Sequence, residues 1–169
     1  MTTKSPSILL DANVVIELFQ RGLWGAVCGR CPTIVTETVV QEAIYYDVSP
    51  EEQARIDLEA EARAGCLTIV AASAAEVKAF ASPLGLGILD KLDPGEAESL
   101  AWQSSIGSTA KICSADKIVW RVLGFLKRPE DGISLEEVLG AIGRTCALER
   151  HFTRAYREHW TRTGFVEGL

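Results

Sequence analysis

Short apolar runs alternate along the chain with longer stretches whose apolar residues recur every three or four positions. Ser7-Ile8-Leu9-Leu10 is of the first kind and predicts a strand. Val14, Val15, Ile16, Leu18 and Phe19 are of the second and predict a helix, capped by Asp11 or Asn13 and stopped at Gly22. After a less regular segment holding Trp24, Cys28 and Cys31, the β-branched run Thr33-Ile34-Val35-Thr36 predicts a second strand. Thr38-Val39-Val40-Gln41 has the form of a capping box opening a helix through about Tyr46. Ser49-Pro50-Glu51-Glu52 has it again, for a helix through Ile56, Leu58 and Ala62 to Gly65.

Residues 66–71 are continuously apolar and predict a third strand; residues 73–80 predict a helix, and 83–87 break the pattern. Asp93-Pro94-Gly95-Glu96 joins an N-cap, a proline at the first helical position and a glutamate at the third, with Ala97, Leu100 and Ala101 as the buried face. Residues 110–113 predict a fourth strand, and a helix follows from Asp116 through Leu126. Past a turn at 128–132, Ser134-Leu135-Glu136-Glu137 opens another helix, and residues 144–162 are helical in pattern.

Strands alternating with helices predict an α/β fold of three layers, α/β/α, around a central parallel sheet of four to five strands. Residues 1–128 form this α/β domain, and 129–169 are a C-terminal helical extension packed on it.

Composition narrows the function. A net charge of −6 argues against a binder that holds nucleic acid by bulk positive charge, but leaves open an enzyme whose carboxylates are offset by cations. Five cysteines, an odd number, suit free thiols in a reducing compartment. One lysine, Lys4, precedes a brief apolar stretch that Asp11 interrupts, which is not the form of a secretory leader. No apolar run approaches a bilayer span of roughly 20 residues, so the expectation is a cytoplasmic protein without a membrane partner.

Acidic residues recur beside the ends of apolar elements. Asp11 ends the first strand and Asp116 follows the fourth, and parallel strands deliver both to one rim of the sheet. Glu42 flanks the apolar stripe of its helix, while Glu96 and Glu98 straddle Ala97. Each has a structural reading as well. Asp11 and Asp116 suit N-caps, Glu42 a solvated position, and Glu96 the capping box with Asp93. Glu98 has no comparable structural task, which favours it as the third ligand, with Glu96 as the alternative. Carboxylates gathered at one place repel unless cations lie between them, and hard oxygen ligands suit Mg²⁺ or Mn²⁺. Such ions activate water for in-line attack on a phosphodiester.

The run Leu9-Leu10-Asp11-Ala12-Asn13, the Thr36/Val39/Glu42 pattern, Gly95-Glu96-Ala97-Glu98 and Ser114-Ala115-Asp116 together resemble the PIN domain, in the same order, over about residues 8–126. Members of that family are metal-dependent ribonucleases, many of them toxins of VapBC-type toxin–antitoxin pairs. The Gly-Glu-Ala-Glu form is more like a PIN-like branch than the best-known toxins. The resemblance implies a Mg²⁺- or Mn²⁺-dependent endoribonuclease leaving 5′-phosphate and 3′-hydroxyl ends. It would use Asp11, Glu42, Glu98 and Asp116 as catalytic metal ligands, Asn13 in support, and an antitoxin as partner. The alternative is a catalytically inactive PIN-like binding module.

Other features rank lower. Cys28-Gly29-Arg30-Cys31 has C-x-x-C spacing but no second ligand pair for zinc. His151 and His159 lie in the tail, far in sequence from the acidic motifs, which argues against a histidine-based triad. No P-loop or dinucleotide glycine fingerprint is present. Arg150, Arg154 and Arg157 share one helical face and join Lys117 and Arg121 as candidate phosphate contacts. Phe152, Tyr156 and Trp160 form an aromatic stripe expected to pack the tail onto the domain or onto a second copy in a homodimer.

Overall fold

The computed structural model describes residues 5–105 and 109–169; Lys4 lies outside them. The chain begins with β1 (Ile8–Leu10), α1 (Ala12–Gln20), α2 (Trp24–Cys28), β2 (Thr33–Thr36) and α3 (Glu37–Glu42). A hairpin of β3 (Tyr45–Ser49) and β4 (Glu52–Arg55) follows, then α4 (Leu58–Arg63), β5 (Thr68–Val70), α5 (Ala74–Ala81) and α6 (Pro94–Ser105). The chain continues through β6 (Lys111–Cys113), α7 (Lys117–Phe125), α8 (Leu135–Ala141) and α9 (Arg154–Glu167).

Four of the strands make one parallel sheet in the order β5-β2-β1-β6. Every residue of β1 is buried, and alternate side chains enter different cores. Ile8 and Leu10 pack with Val14, Leu18, Val35, Leu135 and Leu139 on one side, while Leu9 packs with Ile112, Leu100, Trp120 and Leu123 on the other. Burial on both faces is why β1 reads as a continuous apolar run rather than an alternating one. The fold is α/β, with helices covering both faces of the sheet.

From β1 the chain steps outward to β2 and β5, then crosses back to add β6 on the far side of β1. Between β1 and β6 the winding therefore reverses. Open α/β sheets have a crevice beyond the carboxyl ends of the strands at such a point. Beyond β6 the sheet is continued by a single parallel bridge, Ile112 with Gly132, where the Ile133 N–H donates to the Ile112 carbonyl at 2.9 Å.

Three expectations are corrected. The helix expected from Ser49 is a β-hairpin: Tyr46 pairs with Ala54 and Asp47 with Gln53, and Pro50 and Glu51 form the turn. Tyr45-Tyr46-Asp47-Val48 has strand-forming residues without a helical stripe, and the helix waits until Asp57 caps Leu58. Thr36, not Thr38, caps α3, its hydroxyl accepting from the Val39 N–H. The tail is also not one helix. A 3₁₀ turn at Arg150–Phe152 precedes α9, which starts after the Thr153 cap.

The aromatic stripe packs inward. Phe152 is buried in the first core, and Tyr156 and Trp160 lie against the second. The α7–α9 crossing is close because a Cβ at Gly124 would overlap the Thr161 carbonyl, and one at Gly164 the Arg121 carbonyl. Among the described residues no helix is long and apolar enough to cross a membrane.

Candidate functional site

The carboxyl ends of β1 and β6 put Asp11 and Asp116 side by side at the reversal. Asp11 is 4% exposed; its Oδ1 accepts from the Ala12 N–H at 2.7 Å and its Oδ2 from the Ser114 hydroxyl at 3.0 Å. The same Ser114 oxygen accepts from the Asp116 N–H at 3.1 Å, so one hydroxyl couples the two strand ends. Asp116 in turn caps α7, accepting from the Ile118 N–H at 2.9 Å. The capping roles read from the sequence are present, and they orient the carboxylates rather than remove them from the rim.

At the start of α6, Asp93 and Glu96 form the expected reciprocal box. The Glu96 N–H donates to Asp93 Oδ1 at 2.8 Å, and the Asp93 N–H donates to Glu96 Oε2 at 3.0 Å. The other oxygen, Glu96 Oε1, is buried without a partner, on a residue only 3% exposed. Glu42, at the end of α3, accepts from the Gly95 N–H, and its Oε2 lies 2.5 Å from where a Cβ on Gly95 would be. Glycine at 95 is what lets this carboxylate close over the helix start.

Glu98 does something else. Its Oε2 accepts from the Thr38 N–H and its Oε1 from the Ala72 N–H, both at 3.0 Å, and the Thr36 and Thr38 hydroxyls also donate to it. It ties the start of α3 to the chain just past β5. Burial raises its pKa, but these donors outweigh burial and hold it below the usual carboxylate value.

The remaining acids respond in the opposite sense. Burial first, then the charge on Asp93, pushes Asp11 up to about 7, against the bonds from Ser114 and Ala12; Glu42 adds to the rise. Burial likewise pushes Glu96 up to about 8, opposed by its bond from Asp93, with Asp116, Asp93 and Asp11 adding repulsion. Glu42 is raised by burial and by Asp93, with Glu98 contributing less. Among the described residues no lysine, arginine or histidine forms an ion pair with any of these carboxylates. Asp11, Glu42, Asp93, Glu96 and Asp116 are thus one electrostatic cluster. Asp93, read from the sequence only as a cap, belongs to it.

By donor type the cluster fits a hard divalent cation: oxygen ligands, mutual repulsion and an orphaned buried oxygen. Among the described residues, however, no three acidic, histidine or cysteine side chains stand at the spacing of a ready-made ion cage.

Asn13 and Asp116 line a cavity of about 320 Å³ with His151 and Phe152. His151, remote from the acids in sequence, lines the same cavity as Asp116. Its only sequence signal was its place beside the anchoring Phe152. Lys117, Arg121, Arg154 and Arg157 have structural partners. Lys117 Nζ lies over the Trp160 ring, 5.4 Å from its centre, and Arg121 donates to the Gly168 carbonyl. Arg154 pairs with Glu158, and Arg157 donates twice to Glu137, at 2.8 and 2.9 Å. Cys28 and Cys31 line a separate cavity of about 570 Å³ beside Thr33 and Cys66, near the opposite ends of β2 and β5; burial raises both thiols, Cys28 to about 11.

No family model matches the chain, and comparison with curated proteins finds no relative.

Proposed function

We propose that the protein is a PIN-like, Mg²⁺- or Mn²⁺-dependent endoribonuclease. The observation that carries this reading is the cluster at the sheet's winding reversal, where two carboxyls are pushed to about 7 and 8 and, among the described residues, no ion pair offsets them. The ligands would be Asp11, Glu42, Glu96 and Asp116, with Asp93 beside them and Asn13 at the rim. Glu96 replaces Glu98 in this set because Glu98 is engaged by two backbone N–H groups, whereas Glu96 keeps an unpartnered oxygen. A bound divalent ion supplies an activated water and offsets the charge that builds on the phosphodiester. The chain's own residues hold the carboxylates apart: Ser114 orients Asp11 against Asp116, and Gly95 orients Glu42.

Toxin–antitoxin pairing is part of the same reading. Exposed Ile44, Tyr45 and Val48, at the hairpin that follows Glu42, are apolar surface that an antitoxin would cover.

That no ready-made cage stands among the described residues favours one competing reading, a PIN-like binding module without catalysis. Asp11→Asn separates the two. The nuclease reading expects Mn²⁺-dependent cleavage of single-stranded RNA by the wild type and a loss of at least about 100-fold in the variant, with the fold intact by circular dichroism. Equal rates, or no Mn²⁺ binding by calorimetry at millimolar concentrations, would leave the module.

A further inference from the structure

The cavity beside Asp116 has one wall from the sheet rim and the other from the C-terminal segment. Asn13 and Asp116 belong to the rim; Glu149, His151 and Phe152 come from the strap that leads into α9. The strap is held in place from below. Phe152 is 4% exposed in the first core, and the His151 ring packs against it with 4.3 Å between centres. From above, the Thr153 hydroxyl donates to the Arg150 carbonyl and accepts from the Tyr156 N–H. Residues 150 and 151 are therefore presented on an anchored turn.

A phosphodiester entering this cavity meets a wall of like charge. Asp116, Glu17 and Glu149 all line it. Glu17 is offset by its pair with Arg21, and Glu149 lies 3.7 Å from His151 Nδ1, too far for a hydrogen bond. Arg150 is exposed, and among the described residues it forms no ion pair. Arg150 stands between Glu149 and His151, both of which line the cavity, and opens the 3₁₀ turn that carries them. Among the described residues Lys117 and Arg121 also lack a carboxylate partner, but Lys117 lies over Trp160 and Arg121 donates to the Gly168 carbonyl, whereas Arg150 is exposed beside His151.

We propose that the 149–153 strap is the phosphate-contacting lip of the acid site, with His151 and Arg150 donating to a phosphodiester of single-stranded RNA that flanks the cleaved bond. This rests on the ribonuclease reading and adds that the C-terminal segment completes the substrate cavity.

The test uses the full chain, a fluorescent mixed-sequence single-stranded RNA and Mn²⁺, with His151→Ala, His151→Gln, Arg150→Ala and Arg150→Lys. The alanine variants are expected to raise KM roughly tenfold, the loss of one charge-assisted contact, with kcat within about threefold. Arg150→Lys and His151→Gln recover part of that loss. Mn²⁺ affinity and Tm stay at wild-type values. If the wild type cleaves and both alanine variants match it within about twofold, the strap proposal falls and the ribonuclease reading stands. Loss of Mn²⁺ affinity in the variants would also overturn it, because the strap would then act through the metal site. If the wild type binds Mn²⁺ but does not cleave, the ribonuclease reading falls. Anisotropy with the same RNA then decides the lip: weaker binding by the alanine variants keeps it, and no binding by the wild type removes it.

Discussion

Glu96 and Glu98 stand two positions apart on α6, are both almost fully buried, and have opposite electrostatic fates. Glu98 is surrounded by donors and stays charged; Glu96 keeps an orphaned oxygen among other carboxylates and holds its proton to about pH 8. Glu98→Ala leaves the Thr38 and Ala72 N–H groups without their partner and should cost about 2–4 kcal/mol in chemical denaturation. Mn²⁺ affinity should change little, and its collapse in this variant would return Glu98 to the ligand set. The shifts at Asp11 and Glu96 also fix a pH dependence. Both groups bind protons more tightly folded than unfolded, so between about pH 4 and pH 8 the native state holds more protons than the unfolded chain. Stability of the metal-free protein should therefore fall as pH rises through that window. In EDTA, Tm at pH 8 is expected to lie at least about 3 °C below Tm at pH 5.5. Glu96→Gln should flatten the difference, and Mn²⁺ at pH 8 should raise the wild-type Tm. A Tm that rises with pH in EDTA would show that Asp11 and Glu96 do not hold extra protons in the native state.

The elements explain what the sequence showed and what it hid. β1 and β2 are short apolar or β-branched runs because they are buried within the sheet, the less buried β5 and β6 keep an isoleucine at their centres, and all four were visible in order. Asp11 and Asp116 were visible for the same reason, since a polar residue closing such a run can only sit at the rim. The hairpin was hidden because its strands are largely exposed, so no core periodicity marks Tyr45–Ser49, while Ser49-Pro50-Glu51-Glu52 imitates a helix start. The division between Glu96 and Glu98 was hidden because the donors to Glu98 come from α3 and from the chain after β5, contacts between elements that no local spacing encodes. Gly95 is the element-level hinge of the site. It permits the end of α3 to meet the start of α6, with Glu42 bound to its N–H. Gly95→Ala favours the helix intrinsically but pushes the Glu42 carboxylate aside. Calorimetry is expected to show Mn²⁺ affinity reduced by roughly tenfold, with Tm within about 3 °C of wild type. Unchanged affinity would remove Glu42 from the ligand set.

Across the whole molecule, the sheet rim and the C-terminal segment make separable contributions. The acids hang on β1, α3, α6 and β6, whose contacts lie within the two cores. α9 is attached chiefly to α7 through Gly124 and Gly164, and to α8 through the paired bonds from Arg157 to Glu137. A side chain at position 164 must overlap the Arg121 backbone, which cannot rotate away as a flexible side chain would. Gly164→Val should therefore lever α9 from α7, with a fall in Tm of roughly 3–10 °C. Hydrogen exchange should show the loss of protection concentrated in residues 154–167, because local opening follows the weakest set of contacts. The strap at 149–153 would loosen with α9, since Thr153 both caps that helix and braces the turn. RNA affinity should then drop while Mn²⁺ affinity stays within about threefold, because the carboxylates keep their own supports. If Mn²⁺ binding is lost together with α9, the rim is not self-supporting. The C-terminal segment would then be part of what holds the acids in place.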